Sequence, residues 1–257
     1  MKIAIVTGAS SGMGRQMAVE IGDEFGGIDE IWVIARRGER LKELEGQMPA
    51  GIRCFAMDIT CQKEREEFGQ VLSKERPNVK ILVNGAGFGK IGAVEQIPAG
   101  CEADMIRLNC EALCAMTRLA LPFMSPNSRI IQFASAASFL PQPRFAVYAA
   151  TKAFVLSYSR ALGAELKGRQ IYVTAVCPGP VKTEFFDIAE TTGKISVYKK
   201  LVMADAKKVA RKALRDSAMG KSVSVYGLTM KGFLALCKII PHQWLLAAMT
   251  AMDRELL

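Results

Sequence analysis

The chain has 257 residues, half of them hydrophobic, a length that suits one α/β domain with a large core. Its 34 lysines and arginines outweigh 25 aspartates and glutamates to give a formal net charge of +9. Such an excess fits nucleic acid, an anionic membrane or an acidic ligand. No basic motif interleaved with aromatics occurs, so a nucleic-acid partner is not expected. One histidine and seven cysteines without a C-x-x-C pair argue against a metal site.

In chain order, residues 1–6 (M-K-I-A-I-V) are apolar and β-branched, which predicts a buried strand. The loop T-G-A-S-S-G-M-G at 7–14 follows, and residues 15–21 read as helix. Gly8, Gly12 and Gly14 let the backbone approach a ligand closely, while the helix start offers unpaired N–H groups and positive dipole. Ser10, Ser11 and Met13 complete this candidate phosphate cradle. The second predicted strand, 30–35 (E-I-W-V-I-A), ends in Arg36-Arg37. In dinucleotide folds a carboxylate at that point takes the ribose hydroxyls, whereas a basic group accommodates a 2′-phosphate. An arginine fork therefore favours NADP(H), with NAD(H) left open.

Further strands are predicted at 53–57, 81–84, 130–134, 172–176 and 222–226, with helical stretches between them. This alternation implies a doubly wound parallel sheet of about seven strands with helices on both faces. Tyr148 and Lys152 lie four apart at the start of a helix predicted over 149–164, so they share a face. A phenol with pKa of about 10 is a poor base, and bringing it near 7 takes roughly 4 kcal/mol of differential stabilisation. A close ammonium and a cofactor's positive ring would supply it, making Tyr148 a proton donor or acceptor. Ser135, at the end of the fifth strand, is placed to hydrogen-bond a substrate oxygen. Each residue has a plainer alternative: a packed phenol, a solvated amine, a strand-end hydroxyl.

Taken together, the chain resembles the short-chain dehydrogenase/reductase family over roughly residues 3–227, in its compact single-domain branch. The resemblance rests on the loop at 7–14, M-D-I-T at 57–60, N-G-A-G at 84–87, Asn109 in R-L-N-C, the Ser135/Tyr148/Lys152 set, and C-P-G-P-V-K-T at 177–183. It implies a Rossmann-type fold and a nicotinamide-dependent oxidoreductase. By that resemblance Asp58 and Ile59 border the adenine, and Asn84, Ala86 and Gly87 close the pocket behind the central strand. Pro178, Gly179, Val181 and Thr183 would contact the nicotinamide. Ser135 would orient the carbonyl, Tyr148 act as acid/base, Lys152 lower the tyrosine pKa and bind the ribose, and Asn109 hold a helix kink and a relay water. Asn109 also reads as a helix-interior defect and Thr183 as a helix N-cap. Gly85 departs from the family's usual asparagine and implies a small change in loop packing.

Residues 184–204 correspond to the family's substrate lid, where Phe185, Phe186, Ile188, Ile195, Val197, Tyr198 and Met203 would form an apolar cover. A plain helix pair packed on the core is the alternative. The apolar extension 228–257 is broken by Lys231, Lys238, Pro241 and His242 and fails as a transmembrane helix. It is expected to cap the pocket, form a subunit interface or touch a membrane peripherally. The first strand begins so early that no leader peptide is expected, and the odd cysteine count fits a reducing cytoplasm. The expected function is that of an NADP(H)-dependent carbonyl reductase, interconverting a ketone and a secondary alcohol on an apolar or amphipathic small molecule. A homodimer or homotetramer is the expected assembly. The alternatives are an NAD-dependent alcohol or hydroxysteroid dehydrogenase and a non-catalytic NADP-binding regulatory protein.

Overall fold

The apolar segments pair into one parallel sheet, in the order β3-β2-β1-β4-β5-β6-β7. The computed structural model describes residues 1–24, 26–47, 50–190 and 203–254. The strands are β1 (Lys2–Thr7), β2 (Glu30–Ala35), β3 (Gly51–Ala56), β4 (Asn78–Asn84), β5 (Arg129–Phe133), β6 (Tyr172–Val176) and β7 (Val223–Ser224). Helices α1 (Gly12–Glu24), α2 (Gly38–Lys42), α3 (Gln62–Glu75), α4 (Cys101–Ile106), α5 (Leu113–Ala120) and α6 (Ala146–Glu165) alternate with the first six strands. A π-helical stretch, Arg107–Ala112, joins α4 to α5. The remaining described α-helices are α7 (Phe185–Ala189), α8 (Ala206–Ala218), α9 (Leu228–Ile239) and α10 (His242–Arg254).

Successive strand residues point to opposite faces, and here both faces are buried. Ile3, Ile5, Trp32, Ile34 and Leu82 pack with Phe68 and Leu72 of α3, Met116 of α5 and Leu162 of α6. Ala4, Val6, Ile31, Val33 and Val83 pack on the other side with Met17 and Ile21 of α1 and Ala210 and Leu214 of α8. Double coverage is why the strands read as near-continuous apolar runs rather than alternating ones.

Strand edges moved where polar or small residues masked the pattern. β4 starts at Asn78 rather than 81, because Asn78 and Val79 pair with Lys2 and Ile3. β3 starts at Gly51, paired with Glu30. The last strand is shorter than expected, with only Val223 and Ser224 pairing with Ala175 and Val176.

The strand order reverses between β1 and β4, so the loops after them diverge and leave a crevice beyond the strand ends. Thr7 is in register with both Ile34 and Asn84, which brings the three loops out at one level. The Thr7 hydroxyl then accepts hydrogen bonds from the N–H groups of Gly85 (3.1 Å) and Ala86 (3.3 Å), clasping the first and fourth loops together.

Candidate active site

A cleft of about 980 Å³ occupies that crevice. It is lined by every sequence-predicted site residue except Asn84 and Asn109, which lie behind its wall.

At its floor, the loop after β1 turns into α1 through a very close backbone approach. A Cβ on Gly14 would lie 2.3 Å from the Gly8 carbonyl oxygen. The same crowding explains Gly85, where a Cβ would lie 2.8 Å from the Thr7 carbonyl oxygen and 3.1 Å from the Gly14 Cα. A side chain such as asparagine at position 85 would not fit this loop pair without backbone movement. The N-terminal end of α1, thirteen residues long, faces the cleft with its amide groups beside Ser11, Gly12 and Met13.

Ser135, Tyr148 and Lys152 meet at the far end. Ser135 leaves β5 extended, and its Oγ accepts a hydrogen bond from the Ala137 N–H at 3.1 Å. The Ala136 N–H donates to the Pro178 carbonyl at 2.8 Å and so fixes the β5 and β6 exits side by side. Lys152 is buried, and its Nζ donates to the Phe133 carbonyl at 2.7 Å while standing 5.6 Å from the Tyr148 ring centroid. Burial lowers the Lys152 ammonium to about 8, leaving it charged at neutral pH.

The same burial pushes the Tyr148 phenol up to about 12, against a hydrogen bond with Ser135 that acts the other way. Desolvation of a ring packed between Phe145 and Phe185 (centroids 4.2 and 5.3 Å) dominates in the protein alone, whereas the lowering expected of Lys152 together with a cofactor's positive ring concerns the loaded site. Folding favours the protonated phenol, the form that donates. In a spectrophotometric titration of the protein alone, the tyrosinate difference between wild type and Tyr148→Phe should be absent at pH 10 and grow only toward pH 12. A difference that emerges below pH 10 would contradict the burial account.

Asn109 is fully buried in the π-helical stretch Arg107–Ala112, so the expected kink takes the form of a widened turn. Its Oδ1 accepts from the Phe88 N–H (3.1 Å), and its Nδ2 donates to the Phe88 carbonyl (2.9 Å) and to Thr151 Oγ1 (3.0 Å). It thus ties the loop after β4 to the helix carrying Tyr148 and Lys152. Asn84 is buried among Thr117 and Gln132, to each of which its Nδ2 donates at 2.9 Å.

The other end of the cleft is basic. The Arg36 side chain is 76% exposed and reaches Asp58 at 4.0 Å. Asp58 Oδ1 also accepts from the Thr60 N–H and hydroxyl, at 2.9 and 2.7 Å. Arg37 folds back over the glycine loop, donating to Ser11 Oγ at 2.8 Å and Ser10 Oγ at 3.1 Å. Thr183 lines the cleft, and its Oγ1 accepts from the Phe185 N–H at 3.4 Å, but the N-cap position of α7 is Glu184, so Thr183 is not the helix N-cap.

Several lining residues were not singled out from sequence. Phe145 stacks on Tyr148 from the preceding turn, a spacing of three that could have flagged it. Phe88, Ile91 and Arg144 come from loops with no pattern of their own. Met230 and Phe233 reach in from α9, with Met230 packed so closely on Gly179 that a Cβ there would lie 2.6 Å from its sulfur. Of the expected lid, Phe185, Phe186 and Ile188 line the cleft, and Ile195, Val197 and Tyr198 lie outside the described residues. The base of that segment is stapled where Ala204 pairs beside Val181, its N–H donating to the Pro180 carbonyl at 2.8 Å.

The chain is similar to known proteins in sequence and in shape. A probable short-chain type dehydrogenase/reductase, VdlC, of Helicobacter pylori is 29% identical, over 94% of each chain. The NADP-dependent 3-hydroxy acid dehydrogenase YdfG of Escherichia coli is 34% identical, covering 72% of this chain and 75% of its own. A short-chain dehydrogenase from Sphingobium yanoikuyae, solved in complex with NADPH, superposes with a TM-score of 0.78 at 25% identity, over 94% of this chain and 96% of that one. Residues 2–192 match the short chain dehydrogenase family, and the protein belongs to that family of oxidoreductases.

Proposed function

We propose that the protein is an NADP(H)-dependent oxidoreductase that interconverts a ketone and a secondary alcohol on an apolar or amphipathic substrate. The observation that carries this reading is a single cleft with a proton-handling set at one end and a phosphate cradle with arginines at the other. The close approach of Gly14 to Gly8, which any side chain would fill, suits a pyrophosphate lying on the loop. Gly8 to Gly14 would hold it, with Asp58 and Ile59 at the adenine and Pro178, Gly179, Val181 and Thr183 at the nicotinamide. A bound nicotinamide supplies or takes up the hydride.

The chain's own groups handle the proton. Ser135 orients the carbonyl oxygen, and Tyr148 gives up its Oη proton to that oxygen on reduction or takes one from the alcohol on oxidation. Lys152, charged at neutral pH, offsets the phenolate left behind. Asn109 acts through Phe88 and Thr151 as a positioning residue.

The substrate end is walled by Phe88, Ile91, Phe145, Phe186 and Phe233, which supports an apolar substrate. Helices α7, α9 and α10 serve as its cover. Leu228, Ile239 and Trp244 on the outer side are exposed and would suit a subunit contact in a homodimer or homotetramer. No helix among the described residues is long and apolar enough to cross a membrane, so any membrane contact would be peripheral.

The preference for NADP(H) rests on Arg36 and Arg37 standing where a carboxylate would favour NAD(H); similar solved structures hold NADPH in one case and NADH in another, so the arginines alone carry it. Arg36→Asp is expected to weaken NADPH binding much more than NADH binding. Equal affinities before and after the change would refute the 2′-phosphate assignment.

A further inference from the structure

Arg37 is already engaged by an anion from the protein itself. Its Nη1 and Nη2 lie 3.2 and 3.3 Å from Glu184 Oε2, and the other carboxylate oxygen accepts from Arg40. Glu184 follows the loop after β6, while Arg37 and Arg40 follow β2, so this ion pair bridges the cleft across 147 residues of sequence. The pair of arginines holds the Glu184 carboxyl below the usual range, so it is ionised at neutral pH. The same Nη2 of Arg37 also donates to the Ser11 and Ser10 hydroxyls, at 2.8 and 3.1 Å. A guanidinium beside two hydroxyls at a helix start is a phosphate-binding set, and Glu184 takes its Nη1 and shares its Nη2 with the serines.

We propose that Glu184 is a specificity-determining residue that competes with the nucleotide 2′-phosphate for Arg37 and so restrains NADP(H) affinity. The inference rests on the NADP(H) reading above. Phosphate docking would have to draw Arg37 away from Glu184. Arg40 keeps its own contact with that carboxylate, so the segment need not come loose. The next residue, Phe185, packs 5.3 Å from the Tyr148 ring, which links occupancy of the ribose end to the wall of the proton site.

The test uses adenosine 2′,5′-bisphosphate and 5′-AMP, which differ only in the 2′-phosphate and need no turnover. Each is titrated calorimetrically into wild type, Glu184→Gln, Arg37→Ala and the double variant. Glu184→Gln should bind the bisphosphate about three- to tenfold tighter, the range one or two partly exposed ion pairs can supply, with 5′-AMP unchanged. The gain should vanish when Arg37 is also alanine. A gain selective for the bisphosphate supports the inference whether or not wild type distinguishes the two probes. If wild type prefers the bisphosphate but Glu184→Gln gains nothing, gains equally for both or loses both, the competition is refuted and the NADP(H) reading stands. If neither wild type nor Glu184→Gln distinguishes the probes, both readings fall.

Discussion

Tyr148→Phe is expected to lower turnover by about 10²–10⁴-fold, the usual contribution of one positioned acid or base. The substitution deletes a single oxygen and keeps the ring. Its stacking on Phe145 at 4.2 Å and its contact with Phe185 should survive, and so should the fold. Nicotinamide binding should stay near the wild-type level because Lys152 holds its place through the Phe133 carbonyl. The readout is NADPH oxidation with any ketone that wild type accepts, alongside a binding titration. Loss of turnover with binding kept assigns the proton to Tyr148. Full activity would overturn the assignment, and loss of both would point to a collapsed pocket.

Gly14→Ala should damage the opposite end. The added carbon would sit 2.3 Å from the Gly8 carbonyl oxygen, a backbone atom that cannot rotate away. The loop after β1 must shift, so cofactor affinity should fall more than about tenfold while the protein loses about 1–3 kcal/mol as an overpacked site. Gly168→Ala is the control, because a Cβ there meets nothing within 4 Å. It should leave stability within about 0.5 kcal/mol and binding unchanged. Thermal melts with nucleotide titrations read both. Wild-type affinity in Gly14→Ala would show that the loop is not the phosphate cradle.

Much of this was legible because the chemistry needs fixed residue types at fixed places along the chain. The strand-turn-helix at residues 2–24 announces itself through β-branched residues followed by glycines. Tyr148 and Lys152 are four apart on one helix, so their shared face follows from helical geometry alone. Asn109 was found by the pattern around it, but its exchange with both backbone groups of Phe88 depends on where the loop after β4 comes to rest, which no local signal encodes. The raised pKa of Tyr148 in the protein alone has the same kind of origin. An adjacent ammonium can be read from spacing, but the desolvation that raises the phenol comes with packing against Phe145 and Phe185, one of them far away in sequence. Glu184 beside Arg37 is another meeting across the cleft, visible only once β2 and β6 exit on the same side. Gly85 was visible as a departure, but its cause, the nearness of Gly14, was not.

The most direct test is to titrate the purified protein with NADPH and with NADH, following nicotinamide fluorescence, since no substrate need be known. Saturable binding of both with NADPH the tighter is the predicted result, and it would direct a screen of apolar and amphipathic ketones with NADPH as reductant. Binding of neither nucleotide would contradict the account at its centre.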